Sequence, residues 1–153
     1  SLLKIEDDIN QSLKKTLCYW VRPENLAVEY CVFKWPNSVW KNLWLHEIEN
    51  FLDKKQYNAF ELKISGIQLH EDGCIIAKGF DNGFIRNIRS DLISNLKFLP
   101  TKQSNWAHIP LGRILEPISE NIFTRIKQLM GSLSNINLGV ENVVEAKLNH
   151  KTR

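Results

Sequence analysis

The sequence predicts an α+β domain, and the spacing of its apolar residues carries that prediction. In some segments apolar residues recur every three or four positions, as on one face of a helix, and in others they alternate with polar residues, as in a half-buried strand. Residues 71–73 read Glu-Asp-Gly between two alternating segments, which predicts a hairpin and hence antiparallel strands. The chain has 153 residues, enough for one domain with its own core.

The first third of the chain is predicted to fold as helix, strand and helix. An apolar residue at every fourth position predicts a helix over about 4–17. After a proline, β-branched and aromatic residues predict a strand over 26–34. The pair Asn37-Ser38 can cap a helix over about 38–54, because short polar side chains accept hydrogen bonds from the first turn.

The middle of the chain is predicted to form a hairpin followed by a helix. Alternating residues predict strands over 60–69 and 74–80, joined by the turn at 71–73. The turn residues Asp81-Asn82-Gly83 then begin a helix that apolar residues at helical spacing carry to Leu96.

The last third is predicted to contain two strands on either side of a helix. Alternation predicts a strand over about 106–114. Pro117 lies near the start of the following helix, since proline is tolerated in the first turn, and Gly131 is expected to end it. A final strand is expected over about 139–148.

Composition and charge narrow the class of protein. Lys and Arg number 20 against 17 Asp and Glu, a formal net charge of +3, and the charges are scattered rather than clustered as on most surfaces that follow a phosphate backbone. The three cysteines lack metal-binding spacing and are expected to be reduced and buried. No apolar run approaches the roughly 18 residues of a membrane span, and charges interrupt the N-terminal segment. These features favour a cytoplasmic protein with no membrane contact and no bound metal.

Two segments have the character of site sequences. Residues 105–113 read Asn-Trp-Ala-His-Ile-Pro-Leu-Gly-Arg, a strand-like segment whose one histidine is followed by glycine and arginine. About eighty residues earlier, residues 23–26 read Pro-Glu-Asn-Leu at the start of another strand-like segment. Together they resemble the paired motifs of the two-histidine (2H) phosphoesterase superfamily, which includes 2′-5′ RNA ligase-like proteins and cyclic phosphodiesterases. The resemblance covers roughly residues 18–148.

The resemblance implies an architecture of two lobes. In that family two pseudo-duplicated antiparallel sheets, each backed by helices, place the two motif strands on either side of a central groove. Family members normally begin with a strand and finish with further strands. The resemblance therefore implies a single domain over 1–153 that lacks terminal strands, or a fragment of a longer chain.

The resemblance also implies a chemistry. One motif histidine removes a proton while the other protonates the leaving oxygen of a phosphodiester, a task that suits imidazole because its pKa lies near neutral pH. A threonine or serine two positions after each histidine faces the same side of its strand and donates to the phosphate oxygens.

This chain departs from both motifs. The resemblance places Ala27 where the first histidine belongs and Glu29 where its hydroxyl partner belongs; His108 stands as the second histidine, followed by Pro110 in place of a hydroxyl. Ala27 transfers no proton, and Pro110 offers neither a hydroxyl nor an N–H. A Glu29 carboxylate about 4 Å from a bound phosphate costs roughly 4 kcal/mol at an effective dielectric constant of 20. The implied site is therefore degenerate.

Four candidate site residues remain. His108 and Glu29 are the candidate catalytic pair, since a carboxylate and an imidazole can both exchange protons with a phosphodiester. Arg113 is the candidate phosphate ligand because its planar guanidinium matches two oxygens. Trp106 is a candidate for stacking on a base. No cofactor is expected.

Three functions are compatible with this pattern. The first is a degenerate 2H phosphoesterase-like domain that binds a phosphate-bearing ligand, a nucleotide or an RNA end, with weak or no cyclic phosphodiesterase activity. The second is an active 2′,3′-cyclic or 2′-5′ phosphodiesterase in which Glu29 supplies the second acid or base to His108. The third is a non-catalytic module that binds another protein. The missing histidine favours the first.

Overall fold

The computed structural model describes residues 1–144, which form helices and strands in alternation. The helices are α1 (Leu2–Leu13), α2 (Asn42–Lys54), α3 (Phe84–Asn95) and α4 (Glu120–Leu133), with a short 3-10 helix at Pro23–Asn25. The strands are β1 (Cys18–Trp20), β2 (Phe60–Leu69), β3 (Cys74–Phe80), β4 (Ala107–Ile114) and β5 (Asn137–Val143).

The five strands of the described residues join in one antiparallel sheet, in the order β1-β4-β3-β2-β5. β2 and β3 pair as the expected hairpin, with Lys63 opposite Phe80 and Leu69 opposite Ile75. At the far side of β3, β4 pairs with β1, so that Cys18 lies opposite Ile114. The predicted α+β class with antiparallel strands is confirmed, and residues 1–144 show one sheet rather than a sheet for each lobe.

The chain divides into two compact units. The first comprises 1–28, 63–80 and 108–140. Helix α1 packs against α4 there. Its core combines side chains from both helices with side chains from the sheet, among them Ile5, Ile9, Leu13, Ile67, Ile75, Leu111 and Ile126.

Within the described residues, the second unit comprises 29–62, 81–107 and 141–144. Helix α3 supplies much of its core through buried residues at helical spacing, and α2 adds Ile48. Aromatic rings add to it, because Trp44 stacks on Phe98 with 4.8 Å between ring centroids. The buried side chains include Ile48, Phe60, Leu62, Ile85, Ile88, Leu92, Leu96 and Leu99.

The expected strand over 26–34 is wrong. Residues 26–34 have no regular secondary structure, because side chains rather than a neighbouring strand satisfy much of their backbone. The guanidinium of Arg89 donates to the carbonyls of Glu29 and Tyr30. The side-chain amide of Gln103 binds both the N–H and the carbonyl of Val32, each at 2.8 Å.

Two helix boundaries differ from the prediction for local reasons. The expected helix over 38–54 begins only at Asn42, because the Ser38 hydroxyl closes a turn on Trp35 instead of capping a helix. The expected helix over 4–17 ends at Leu13, where Lys14 adopts a positive φ of 49° that a helix cannot continue. Residues 15–17, which were predicted to be helical, instead lead into β1, a strand of three residues that the pattern did not predict.

The remaining elements agree with the prediction to within a few residues. The helix expected over 81–96 is α3, and the helix expected near Pro117 is α4, which starts later because Ser119 caps it and continues past Gly131 to Leu133. The strand expected over 139–148 corresponds in part to β5, and residues 145–148 lie outside the described residues.

Candidate functional site

The motif histidine lies on β4, an inner strand of the sheet. β4 has β1 on one side and β3 on the other. Ala107 and Leu111 are buried on it, and His108 is half-buried. His108 thus lies on a strand with a neighbour on each side, so that strand pairing rather than a loop fixes the position of its backbone.

The Pro-Glu-Asn-Leu segment is held against the same strand. β1 pairs with the end of β4, with Trp20 opposite Gly112, and the next residue, Val21, donates its N–H to the Leu111 carbonyl at 2.8 Å. The chain then enters the 3-10 helix Pro23–Asn25. Consequently 23–26 follows directly on a segment that is hydrogen-bonded to the His-Ile-Pro-Leu-Gly-Arg strand.

Pro110 lies where this pairing ends. Leu111 accepts the last of these hydrogen bonds from the β1 side, and Pro110, the residue before it, has no N–H to extend the ladder. Pro110 therefore stands where the motif has a hydroxyl residue. It also lies beside the place where residues 21–25 stop pairing with β4.

Gly112 permits the close approach of β1. A Cβ at Gly112 would lie 2.5 Å from the Tyr19 carbonyl oxygen and 2.7 Å from the Trp20 ring. The Trp20 indole in turn donates to Asn10 of α1 at 2.8 Å. The glycine of the motif thus serves the packing of the indole between strand and helix.

Arg113 is engaged with the β2–β3 hairpin. Its guanidinium forms an ion pair with Asp72 at 2.9 Å and contacts the Cys74 sulfur at 3.0 Å. The hydrogen bond to Cys74 and the charge of Asp72 raise the pKa of Arg113. His108 and Arg113 are five positions apart on one strand, so strand alternation directs their side chains to opposite faces.

Glu29 and Trp106 belong to the second unit, whereas Ala27 belongs to the first. Ala27 and Glu29 are exposed, and Trp106 is 42% exposed. The backbone carbonyls of Glu29 and Trp106 both accept from the guanidinium of Arg89.

Arg89 is a residue that the sequence prediction missed. It is 4% exposed and donates to four backbone carbonyls over 2.6–2.9 Å, those of Glu29, Tyr30, Ser104 and Trp106. Burial lowers the pKa of Arg89, and nearby acidic groups oppose that shift. The sequence indicates Arg89 only by its position: it lies on the apolar face of α3, one residue after Ile88 and three before Leu92.

The first unit also carries a depression of about 510 Å³ at the hairpin end of the sheet. Its walls are residues 69–73, residues 114–118 and Phe123, so it adjoins the Arg113–Asp72 pair and does not include His108. Among residues 1–144, no group of three or more His, Cys, Asp or Glu side chains is arranged to hold a metal ion. No helix in that range has the length and apolar character needed to cross a membrane.

Comparison with known proteins gives no family. No protein-family model matches the chain. Curated proteins likewise provide no match.

Proposed function

We propose that this chain is a degenerate 2H phosphoesterase-like domain that binds a phosphate-bearing ligand, a nucleotide or an RNA end, with weak or no cyclic phosphodiesterase activity. The proposal includes the two-lobed, pseudo-duplicated ancestry that the motifs imply. It rests on the residues at 23–26 and 108–113, because no relative supplies a family name.

One observation carries the proposal. The segment leading into Pro-Glu-Asn-Leu and the His-Ile-Pro-Leu-Gly-Arg strand are about ninety residues apart in sequence yet are hydrogen-bonded neighbours, through the β1–β4 register and the Val21–Leu111 bond. A 2H site requires its two motifs side by side.

The residues at the motif positions support binding better than catalysis. His108 carries an imidazole, a side chain that can donate a hydrogen bond to a phosphate oxygen. Ala27 has no group that could take the second proton, and Pro110 has no hydroxyl to hold a non-bridging oxygen. Acid–base catalysis is worth roughly 10²–10⁴-fold for each positioned group, so the loss of one group lowers the expected rate by that factor.

Titration with 2′,3′-cyclic nucleotides and nucleoside monophosphates tests the proposal. We expect dissociation constants between about micromolar and millimolar, because a few charge-assisted bonds supply only about 4–8 kcal/mol of binding free energy. His108→Ala should weaken binding at least about fivefold, which corresponds to roughly one hydrogen bond.

The matched control is His46→Ala. His46 is an exposed histidine of α2 that pairs with Glu49, so its removal changes the same residue type away from both motifs. Equal affinities for the wild type and the His108→Ala protein, or an equal loss in both variants, would exclude His108 from the ligand site.

A further inference from the structure

Two segments of the second unit carry lysines and tryptophans and have no carboxylates of their own. Residues 30–46 and residues 92–107 contain no Asp or Glu. The four lysines within them are all exposed, and none forms an ion pair with another described residue: Lys34, Lys41, Lys97 and Lys102. We call this surface, made of residues 30–46 and 92–107, the lysine–tryptophan surface.

Hydrogen bonds hold the two segments side by side. Arg89 binds the Tyr30 carbonyl together with the carbonyls of Ser104 and Trp106, and the Gln103 amide binds both backbone groups of Val32. As numbering rises in one segment it falls in the other, so Trp106 lies toward the start of the first segment.

The segments also meet through aromatic rings. Trp44 stacks on Phe98, and Trp40 contacts the edge of Trp44 with 5.7 Å between centroids. The ammonium of Lys41 lies 5.7 Å from the Trp44 ring centre. Two further indoles remain accessible, since Trp35 is 45% exposed and Trp106 is 42% exposed.

We propose that the lysine–tryptophan surface binds a single-stranded nucleic acid. Every base presents a flat face that can stack on an indole, and exposed lysines outside ion pairs attract the phosphates between the bases. Trp35 and Trp106 supply the stacking faces, and the exposed Lys34 and Lys102 supply positive charge on the same two segments. This surface lies within the second unit and does not depend on His108, so the inference stands apart from the proposed function.

The surface suits a single strand better than other anionic partners. A duplex hides its base faces, which leaves exposed indoles without a role. The exposed side chains of Val39 and Leu43 next to Lys41 would instead suit an anionic lipid surface. Lipid vesicles are therefore an explicit arm of the test.

The experiment measures fluorescence anisotropy of a labelled oligouridylate octanucleotide with the whole chain. We expect saturable binding. The logarithm of the association constant should fall with the logarithm of the salt concentration with a slope of about −3, because four lysines each contribute about −0.7 on a single strand. Trp35→Ala and Trp106→Ala should each weaken binding by about 5- to 150-fold, the range for one stacked base. Phenylalanine at either position should restore part of the loss.

Two pairs of lysine variants distinguish binding by this surface from a general effect of net charge. Lys34→Gln with Lys102→Gln should weaken binding by about tenfold or more, whereas Lys4→Gln with Lys127→Gln, on exposed positions of α1 and α4, should leave it nearly unchanged. Both pairs lower the formal net charge from +3 to +1. Thermal denaturation of each variant verifies that the fold is retained.

Several results would overturn the inference. Equal losses in the two lysine pairs would assign binding to net charge alone. Equal affinity for the same sequence as a duplex, or binding to phosphatidylserine vesicles without binding to the octanucleotide, would remove a single-stranded nucleic acid as the partner. His108→Ala should bind the octanucleotide as the wild type does, so a failure of mononucleotide binding would affect only the proposed function.

Discussion

The guanidinium of Arg113 donates to the carboxylate of Asp72 over 2.9 Å at the turn of the β2–β3 hairpin. Both side chains are about half exposed, at 49% and 60%, so water screens the pair and its free energy lies near the typical 0–1 kcal/mol for surface ion pairs. An anion that binds Arg113 has to compete with this carboxylate. The motif arginine is therefore available to a phosphate only at a small, measurable cost.

Removing the Asp72 charge should free Arg113 for anions. We expect Asp72→Asn to raise the affinity for inorganic phosphate or a nucleoside monophosphate by no more than about fivefold, the equivalent of about 1 kcal/mol. Glu71→Gln is the control, because it removes a neighbouring charge of the same turn that forms no ion pair with Arg113. A calorimetric titration compares the two, and a larger gain from Glu71→Gln would show that general charge, not the ion pair, limits binding.

Rebuilding both motifs should create cyclic phosphodiesterase activity. Ala27→His, Glu29→Thr and Pro110→Thr together restore the two histidines and two hydroxyls, and threonine suits a strand better than proline. We expect hydrolysis of 2′,3′-cyclic phosphates to rise by about 10²-fold or more over the wild type and to vanish on adding His108→Ala.

The same assay tests the alternative catalytic pair. A folded but inert triple variant would contradict the alignment at Ala27. Strong activity of the wild-type chain, lost in Glu29→Gln, would instead give the base role to Glu29.

The sequence predicted the central hairpin and the motif strand because the alternation of apolar and polar residues in these strands matches the alternation of buried and exposed side chains. β2 alternates buried and exposed residues from Phe60 onward, and β4 buries Ala107 and Leu111. The segment 26–34 has the same kind of composition, yet Arg89 and Gln103 satisfy its backbone from a distance of about sixty to seventy residues along the chain. No local pattern contains that information.

The candidate site shows the same division. His108 could be located on a strand from the sequence, whereas the partner of Arg113 could not, because Asp72 lies on another element. Ser38 was read as a helix cap, although its hydroxyl serves a turn four residues before α2 begins. Short polar side chains favour turns and caps alike, so residue type alone does not choose between them.

Removing the Arg89 guanidinium should destabilise the second unit. We expect Arg89→Met to lower the free energy of unfolding by about 3 kcal/mol, since four part-buried carbonyls lose a charged donor. Arg89→Lys should recover little, because one ammonium cannot reach all four carbonyls. Urea denaturation measures the effect, with the exposed Arg86→Met on the same helix as a control expected to change it by less than about 0.5 kcal/mol.

Two glycines should respond in opposite directions to the same substitution. Gly112→Ala should destabilise by about 1–3 kcal/mol, because its Cβ would meet the Tyr19 carbonyl and the Trp20 ring. Gly131→Ala should stabilise by about 0.5–1 kcal/mol, since this position lies inside α4 with no atom in the way. Thermal denaturation distinguishes them, and a stable Gly112→Ala protein would contradict the close pairing of β1 with β4.

The Cys31 thiol should resist alkylation until high pH. Burial raises the pKa of Cys31 to about 11 from 9.0, outweighing the opposing effect of the Arg89 charge. Because the thiolate is the nucleophile, the iodoacetamide rate at Cys31 should reach half its maximum near pH 11 in the folded chain and near pH 9 in guanidinium chloride. Peptide mass spectrometry follows the site, and a midpoint near pH 9 in the folded chain would contradict the burial.

The same raised pKa links Cys31 to the stability of the fold. The folded chain holds the thiol proton more tightly than the unfolded chain, so the stabilisation is fully present below pH 9 and is lost as the pH rises through 11. Cys31→Ala should remove this part of the alkaline loss of stability, which urea denaturation at pH 8 and pH 11 measures.

All four hydrogen bonds of the Arg89 guanidinium go to neutral carbonyls, which solvate its charge without cancelling it. The acidic side chains of Glu29 and Asp81 act electrostatically on the guanidinium, so they carry the compensation of its charge within the second unit. Neutralising either carboxylate would therefore leave a buried cation less well compensated, a cost separate from the loss of any hydrogen bond.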